Sequence, residues 1–294
     1  KAPLRVLRRE GSNVRERKDS FTGRLWQIPE PDDHEPIGGT PYPDFLTKLL
    51  RRRGIHNAAA AKRFLFDSPH ELPEAALLPD ATRAIERIAA AVATQEKVAI
   101  YGDFDVDGIT SSTILSEAVT AVGGDVQSYI PDRFLEGYGL NRNALQRLRE
   151  DGVGLVITAD CGITAREEVE FASEIGLDVV ILDHHSAPPE TPKALATVNP
   201  KLPNSEYPFD EMSTGGLAYR MAHLLLAHFG VAASEERWLD LAAMSTVADV
   251  VPLVEDNRWL VSNGLVAMQR SERPGLRALI EVAGLWNQKL DTDS

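Results

Sequence analysis

KVAIYGDFDVDGITSSTIL, residues 97–115, is the stretch whose reading decides the fold. Val98-Ala99-Ile100 is an apolar, partly β-branched run of the kind a buried strand uses. Asp103, Asp105 and Asp107 follow at alternate positions, Gly108 closes the acidic turn, and Ile109–Val122 has the pattern of a helix. The three carboxylates are thus expected in a loop at the carboxyl end of a strand, where open α/β sheets bind ligands. Carboxylates this close repel one another. Either water solvates them on a loose loop, or they hold divalent cations through hard oxygen ligands.

Working outward, strand-like runs at Val98–Tyr101, Val126–Ile130, Gly154–Thr158, Val179–Leu182 and Leu195–Val198 alternate with helical patterns. The helical patterns lie at Ile109–Val122, Asn141–Arg149 and Thr164–Ile175. Such alternation predicts an α/β fold: a mainly parallel β-sheet with helices on both faces. After Pro200 the pattern is helical, at Thr214–His228, Glu235–Thr246, Asn257–Arg270 and Pro274–Val282. Upstream, residues 37–96 read as a helical lead-in, with helices at Pro43–Arg53, Ala58–Phe66 and Ala81–Thr94. Arg51-Arg52-Arg53 closes the first of these at the end its dipole favours. Residues 1–36 read as an irregular basic arm and a Pro/acid linker, docked through Leu25, Trp26 and Ile28. Three segments are therefore expected: 1–36, 37–96 and 97–294.

The chain of 294 residues has ample length for a core. Its single cysteine, Cys161, excludes an internal disulfide and suits a reducing, cytoplasmic setting. No apolar run reaches the length of a membrane span, and no secretion signal is evident. The first residue is Lys1, so the natural start is expected upstream. A net charge of −13 argues against a nucleic-acid partner, yet residues 1–63 carry 14 Lys/Arg against 8 Asp/Glu. The charge leaves that question open.

Two further strands end in acids. LVITADCGIT places Asp160 after one, and VVILDHHSAPPE places Asp183-His184-His185 after another. Asp249 follows the helical run DLAAMSTVAD. Singly, these residues suit a helix cap, a turn or a hydrogen-bonded loop histidine. Together, three strands of one parallel sheet deliver Asp or His to the same edge. Mixed Asp/His ligation without a cysteine cluster suits manganese, magnesium or cobalt better than structural zinc. Two such ions supply the chemistry of in-line phosphoester hydrolysis.

GDFDVDGITS, TADCGIT, LDHH and STVADVVPL, in this order, resemble the four signature motifs of the DHH phosphoesterase superfamily, and most closely its RecJ-like exonuclease branch. The resemblance runs from about Tyr42 to the end, and includes YIPDRFLEGYGLN and RPGLRALIEVAG. It implies two divalent ions, manganese or magnesium. Asp103 and Asp105 would hold one, Asp107, His184 and Asp249 the other, and Asp160 would bridge them. His185 would face the scissile phosphate, and Asp183 would orient a histidine. Relatives acting on small molecules often carry a histidine where this chain has Tyr101, which favours the exonuclease branch.

In RecJ-like proteins the loop Pro131–Asn141 lines the substrate site. Arg133 is then expected to bind phosphate, Gly137 and Gly139 to offer backbone amides, and Tyr138 to stack on a base. A plain surface loop with Asp132 paired to Arg133 is the simpler expectation from the residues alone. Ser213-Thr214-Gly215-Gly216 is either a second anion site or an ordinary helix cap. Cys161 reads as a small buried neighbour of a ligand. No P-loop or dinucleotide fingerprint is present.

The resemblance implies a metal-dependent 5′-to-3′ exonuclease degrading single-stranded DNA in repair and recombination. It implies a monomer, with a single-strand-binding protein or helicase as partner and no membrane. The alternatives are a DHH enzyme acting on oligoribonucleotides or cyclic dinucleotides, or an inactive scaffold. RecJ-like chains continue into a second domain and an oligonucleotide-binding barrel beyond the point where this sequence stops.

Overall fold

The structure is a computed structural model. It describes residues 37–66, 71–286 and 288–292, together with the backbone of 14–19 and 25–29. Two compact units emerge, Lys1–Ser68 and Pro69–Ser294.

In the first unit, strands β1 (Val14–Asp19) and β2 (Leu25–Pro29) pair antiparallel, with Asp19 opposite Leu25. The expected irregular arm therefore contains a hairpin. Its ladder is defined by backbone pairing and not by side-chain alternation, which in VRERKD is faint. The expected docking through Leu25, Trp26 and Ile28 concerns side chains outside the described residues. Helices α1 (Asp44–Arg52) and α2 (Ala58–Leu65) bury Leu50 and Ala61 with Ile37. Asn57 caps α2, accepting from the Ala60 N–H at 2.8 Å.

The second unit is built on a five-stranded parallel sheet. Its strands are β3 (Lys97–Gly102), β4 (Val126–Tyr129), β5 (Val153–Ala159), β6 (Asp178–Leu182) and β7 (Ala196–Val198), in the order β4-β3-β5-β6-β7. Every residue of β5 is buried, as a central strand covered on both sides requires. Alternate residues face opposite layers. Val98, Ile100, Leu155, Ile157 and Val180 join the large core beneath α3 (Ala81–Thr94), α4 (Val106–Ala121), α7 (Thr214–His228) and α8 (Leu239–Ala248). Ala99, Tyr101, Val156, Val179 and Ile181 meet α5 (Arg142–Glu150) and α6 (Arg166–Glu174) on the other face. Helix α3 belongs to this unit because Ile85, Ile88, Ala91 and Val92 pack into the large core. The compact unit accordingly begins at Pro69. Among the described residues no helix is long and apolar enough to cross a membrane.

Helix α4 starts three residues earlier than expected. The Asp105 carboxylate caps it, accepting from the Gly108 N–H at 2.9 Å, so Asp107 lies within the first turn. At its other end, α4 is tied to the C-terminal helices. Arg273 lies between α9 (Glu255–Gln269) and α10 (Pro274–Val282). It donates through Nη1 and Nη2 to Glu117 at 2.5 and 2.9 Å, and through Nε to Asp240 at 3.0 Å. Trp238 Nε1 also donates to Glu117, at 2.7 Å. The Arg273 hydrogen bond, opposed by burial, holds the Glu117 carboxyl below its ordinary range.

Arg273→Met is expected to destabilise the protein by about 1–2 kcal/mol at neutral pH, the value of charge-assisted bonds discounted for partial exposure. A lowered group stabilises above its unfolded-state pKa, and that contribution is lost as pH falls through the folded-state value. Urea midpoints of wild type and variant should therefore converge in acid. A gap that stays constant below the glutamate range would remove Glu117 from the account.

Candidate metal centre

Three neighbouring strands, β3, β5 and β6, each end one residue before an aspartate. The sheet's hydrogen bonding runs on through those residues. The Asp103 N–H donates to Ala159 O at 3.1 Å, the Asp160 N–H to Leu182 O at 3.1 Å, and the Asp183 N–H to Val198 O at 3.2 Å. The ladder thus fixes all three acids at one edge. Asp160 adopts φ +69°, a left-handed conformation that Asp tolerates better than most residues but still at a cost. Gly108 lets the first turn of α4 close on the loop. A Cβ there would lie 2.5–2.7 Å from backbone atoms of Asp103, so a side chain would displace that ligand candidate.

Asp103, Asp107, Asp160 and His184 are buried, Asp249 at the end of α8 is half-buried, and Asp105 is exposed. Their ligand atoms gather in groups within 4.8 Å: Asp103 with Asp105 and Asp160, and Asp107 with His184 and Asp249. A third group joins Asp160, His184 and His185. Asp160 and His184 each belong to two groups. His184 Nε2 lies 3.4 Å from Asp249 Oδ2, 3.5 Å from Asp160 Oδ1 and 3.8 Å from Asp107 Oδ2. Ligands of an octahedral ion with bonds of about 2.1 Å stand about 3.0 to 4.2 Å apart, so these spacings fit a cation.

Two further observations agree. Both ring nitrogens of His184 and Asp103 Oδ1 are buried without a hydrogen-bond partner, which is costly unless something else engages them. Burial, with the charges of Asp107 and Asp105, pushes the Asp160 carboxyl well above the carboxylate range. Burial raises Asp103 and Asp249 too. The cluster requires protons or cations. A mixed carboxylate–imidazole set without thiolate suits manganese or magnesium.

The surroundings are built to hold these ligands. Asp107 receives the N–H of Thr214 at 2.8 Å and of Gly215 at 2.7 Å, and the Ser245 hydroxyl donates to it at 2.6 Å. The anion at the N-terminus of α7 is therefore the protein's own Asp107. Ser213 is the ordinary cap, accepting from the Gly216 N–H at 3.2 Å. Thr214 Oγ1 donates to Asp160 Oδ1 at 2.9 Å. Thr214, Gly215 and Ser245 escape a reading of the sequence for acids and histidines. The available signals are S-T-G-G at a helix start and Ser245 one helical turn before Asp249.

Asp183 does not join the ligand groups. Its Oδ1 meets His185 Nδ1 at 2.8 Å, and its Oδ2 accepts from the Ile163 N–H at 3.0 Å. The Asp183 hydrogen bond raises the pKa of His185, which is exposed at the rim. Cys161 is fully buried, and burial pushes its thiol up, away from nucleophilic use.

The loop 131–141 closes over this edge. Tyr138 donates to Asp160 O at 3.2 Å, its ring edge-on to His185 and Phe104. Gly137 and Gly139 take φ of +79° and +82°, which the loop's turns need, and Gly139 O accepts from the buried Tyr101 hydroxyl at 3.0 Å. Asp132 is not paired with Arg133. It accepts from the N–H of Phe134 and Leu135 at 2.8 and 3.0 Å, while the exposed Arg133 lies over the Phe104 ring at 4.9 Å.

Residues 97–246 match the family model described as DHH family, N-terminal domain. The chain belongs to the DHH family. It is 39% identical over 265 residues to the single-stranded-DNA-specific exonuclease RecJ of Bacillus subtilis, covering 88% of this chain and 33% of that protein. This DHH chain thus spans about a third of that relative's length. Among solved structures it resembles exonuclease RecJ bound to manganese, with TM-score 0.66 and 32% identity over 73% of this chain and 55% of that one. RecJ of Thermus thermophilus in complex with Mn2+ gives TM-score 0.65 and 29% identity, over 80% of this chain and 33% of that one.

Asp160→Asn removes a repelling charge yet keeps an acceptor for Thr214 and suits the left-handed backbone. Its melting temperature without metal should equal or exceed that of wild type. The rise that manganese produces in wild type should be lost. A wild-type protein whose melting temperature ignores manganese would end the metal assignment. Ser245→Ala should weaken manganese binding about tenfold at one of two sites, measured calorimetrically.

Proposed function

We propose that this chain hydrolyses phosphodiester bonds of single-stranded DNA from the 5′ end, as the catalytic portion of a RecJ-like exonuclease. The observation that carries the reading is that buried Asp160 groups with Asp103 and Asp105 and also with His184, which in turn groups with Asp107 and Asp249. In this reading Asp103 and Asp105 would hold one divalent ion, Asp107, His184 and Asp249 would hold a second, and Asp160 would serve both. Two such ions supply a nucleophile at neutral pH and offset the charge that develops on phosphorus-bound oxygens.

The chain's own residues do the rest. Asp183 fixes the ring of His185, whose raised pKa keeps a proton at hand beside the scissile phosphate. Arg133 grips a second phosphate bidentately, and Tyr138 offers a stacking face 57% exposed. The similarity to RecJ proteins supports DNA repair and recombination as the setting. A lone buried cysteine suits the cytoplasm. A monomer, handed its strand by a single-strand-binding protein or helicase, completes the proposal.

Chelation should abolish hydrolysis of a 5′-labelled single strand, and manganese should restore it. Asp160→Ala should cost about a thousandfold or more in rate, the largest loss of any single ligand. Arg133→Ala should weaken strand binding about tenfold with metal content unchanged, and Arg133→Lys should not restore it. Undiminished cleavage in excess chelator would refute the proposal. Release of label from the 3′ end first would reverse its polarity.

A further inference from the structure

Residues 37–66 hold six Lys/Arg and one acid, Asp44, in a chain of net charge −13. Helix α1 buries Thr47 and Leu50. Phe45, Lys48, Leu49 and Arg52, spaced i, i+3, i+4 and i+7, form an exposed face. Phe45 is 67% and Leu49 44% exposed. Lys62 and Arg63 stand exposed in the last turn of α2, and Phe66, 56% exposed, follows them. The exposed Phe66 ring lies 6.2 Å from that of half-buried Tyr42, one residue before the cap of α1.

Helix dipoles explain why cations sit in the last turns of α1 and α2. They do not explain why Lys48, Arg53, Lys62 and Arg63 make no ion pair among the described residues, or why two phenylalanines face water beside them. Unpaired cations interleaved with flat rings match one chemistry well. Phosphates along a single strand neutralise the cations, and unstacked bases cover the rings. An acidic protein would satisfy the charges but supplies few planar faces.

We propose that the α1–α2 pair is a second binding surface for single-stranded nucleic acid, built from residues other than those of the metal centre. Lys48, Arg53, Lys62 and Arg63 bind phosphates, and Phe45 and Phe66 stack on bases. The charge and exposure behind this surface stand without the catalytic reading.

The test is binding of fluorescent oligo(dT) to the whole chain in chelator, across a salt series. Reversing Lys48, Arg53, Lys62 and Arg63 to Glu should weaken binding at least tenfold at low salt. It should also flatten the slope of log affinity against log salt by about 3, as loss of four single-strand phosphate contacts predicts. Phe45→Ala with Phe66→Ala should weaken binding about tenfold with the slope unchanged. Melting temperatures check the fold. If the fourfold reversal unfolds the chain, Lys48→Gln with Arg63→Gln should halve the slope change. Wild-type affinity and slope in all variants would overturn the surface, as would a changed oligomeric state with unchanged strand binding. Hydrolysis of a 5′-labelled single strand by the wild-type chain with manganese is scored separately. Its absence would sink the catalytic reading and leave this surface standing.

Discussion

Mutual repulsion among buried carboxylates is the constraint to which this fold answers. Asp103, Asp107 and Asp160 are each no more than 3% exposed, and burial, with the charge of neighbouring carboxylates, pushes two of the three toward protonation. Left alone, such a cluster would spread apart or draw water in. The surroundings prevent both. Ladder hydrogen bonds continue through Asp103 and Asp160, and the first turn of α7 with Ser245 directs three donors at Asp107. Each device holds a carboxylate still without cancelling its charge. The cation-shaped deficit that remains is what the site has to offer chemically.

The parallel sheet was largely legible because its strands carry the simplest code available, apolar runs that stop at an acid. Observed strand ends fall within one residue of the expected ones. Helix starts were harder. Asp105 reads as one of three loop acids, yet its carboxylate caps α4 and draws Asp107 into the helix. Helix α8 begins at Leu239, not at Glu235, because Trp238 takes φ +70° and interrupts the run. An amphipathic helix such as α3 shows that it has a partner but not which one.

The candidate ligands could be named from residue type and place after a strand. Their support could not. Thr214 and Asp107 are 107 residues apart, and only the packing of α7 against α4 brings the amide to the carboxylate. Tyr101 is similar: its side chain reads as core, but its hydroxyl pins Gly139 and so the loop that carries Arg133 and Tyr138. Contacts of this kind depend on topology and leave no local periodicity.

Helix α4 joins two places that α8 also links, through Asp240 and Asp249. Its first turn presents Asp107 to the ligand cluster, and Glu117, near its far end, is clasped by Arg273. About 15 Å of unbroken helix separates the two carboxylates, at 1.5 Å per residue. Helices resist axial strain far better than loops do, so α4 acts as a strut. Asp107 and the Glu117 carboxylate held by Arg273 are thus carried by one rigid element. The segment between the last two helices is thereby anchored to the same helix that carries a candidate ligand.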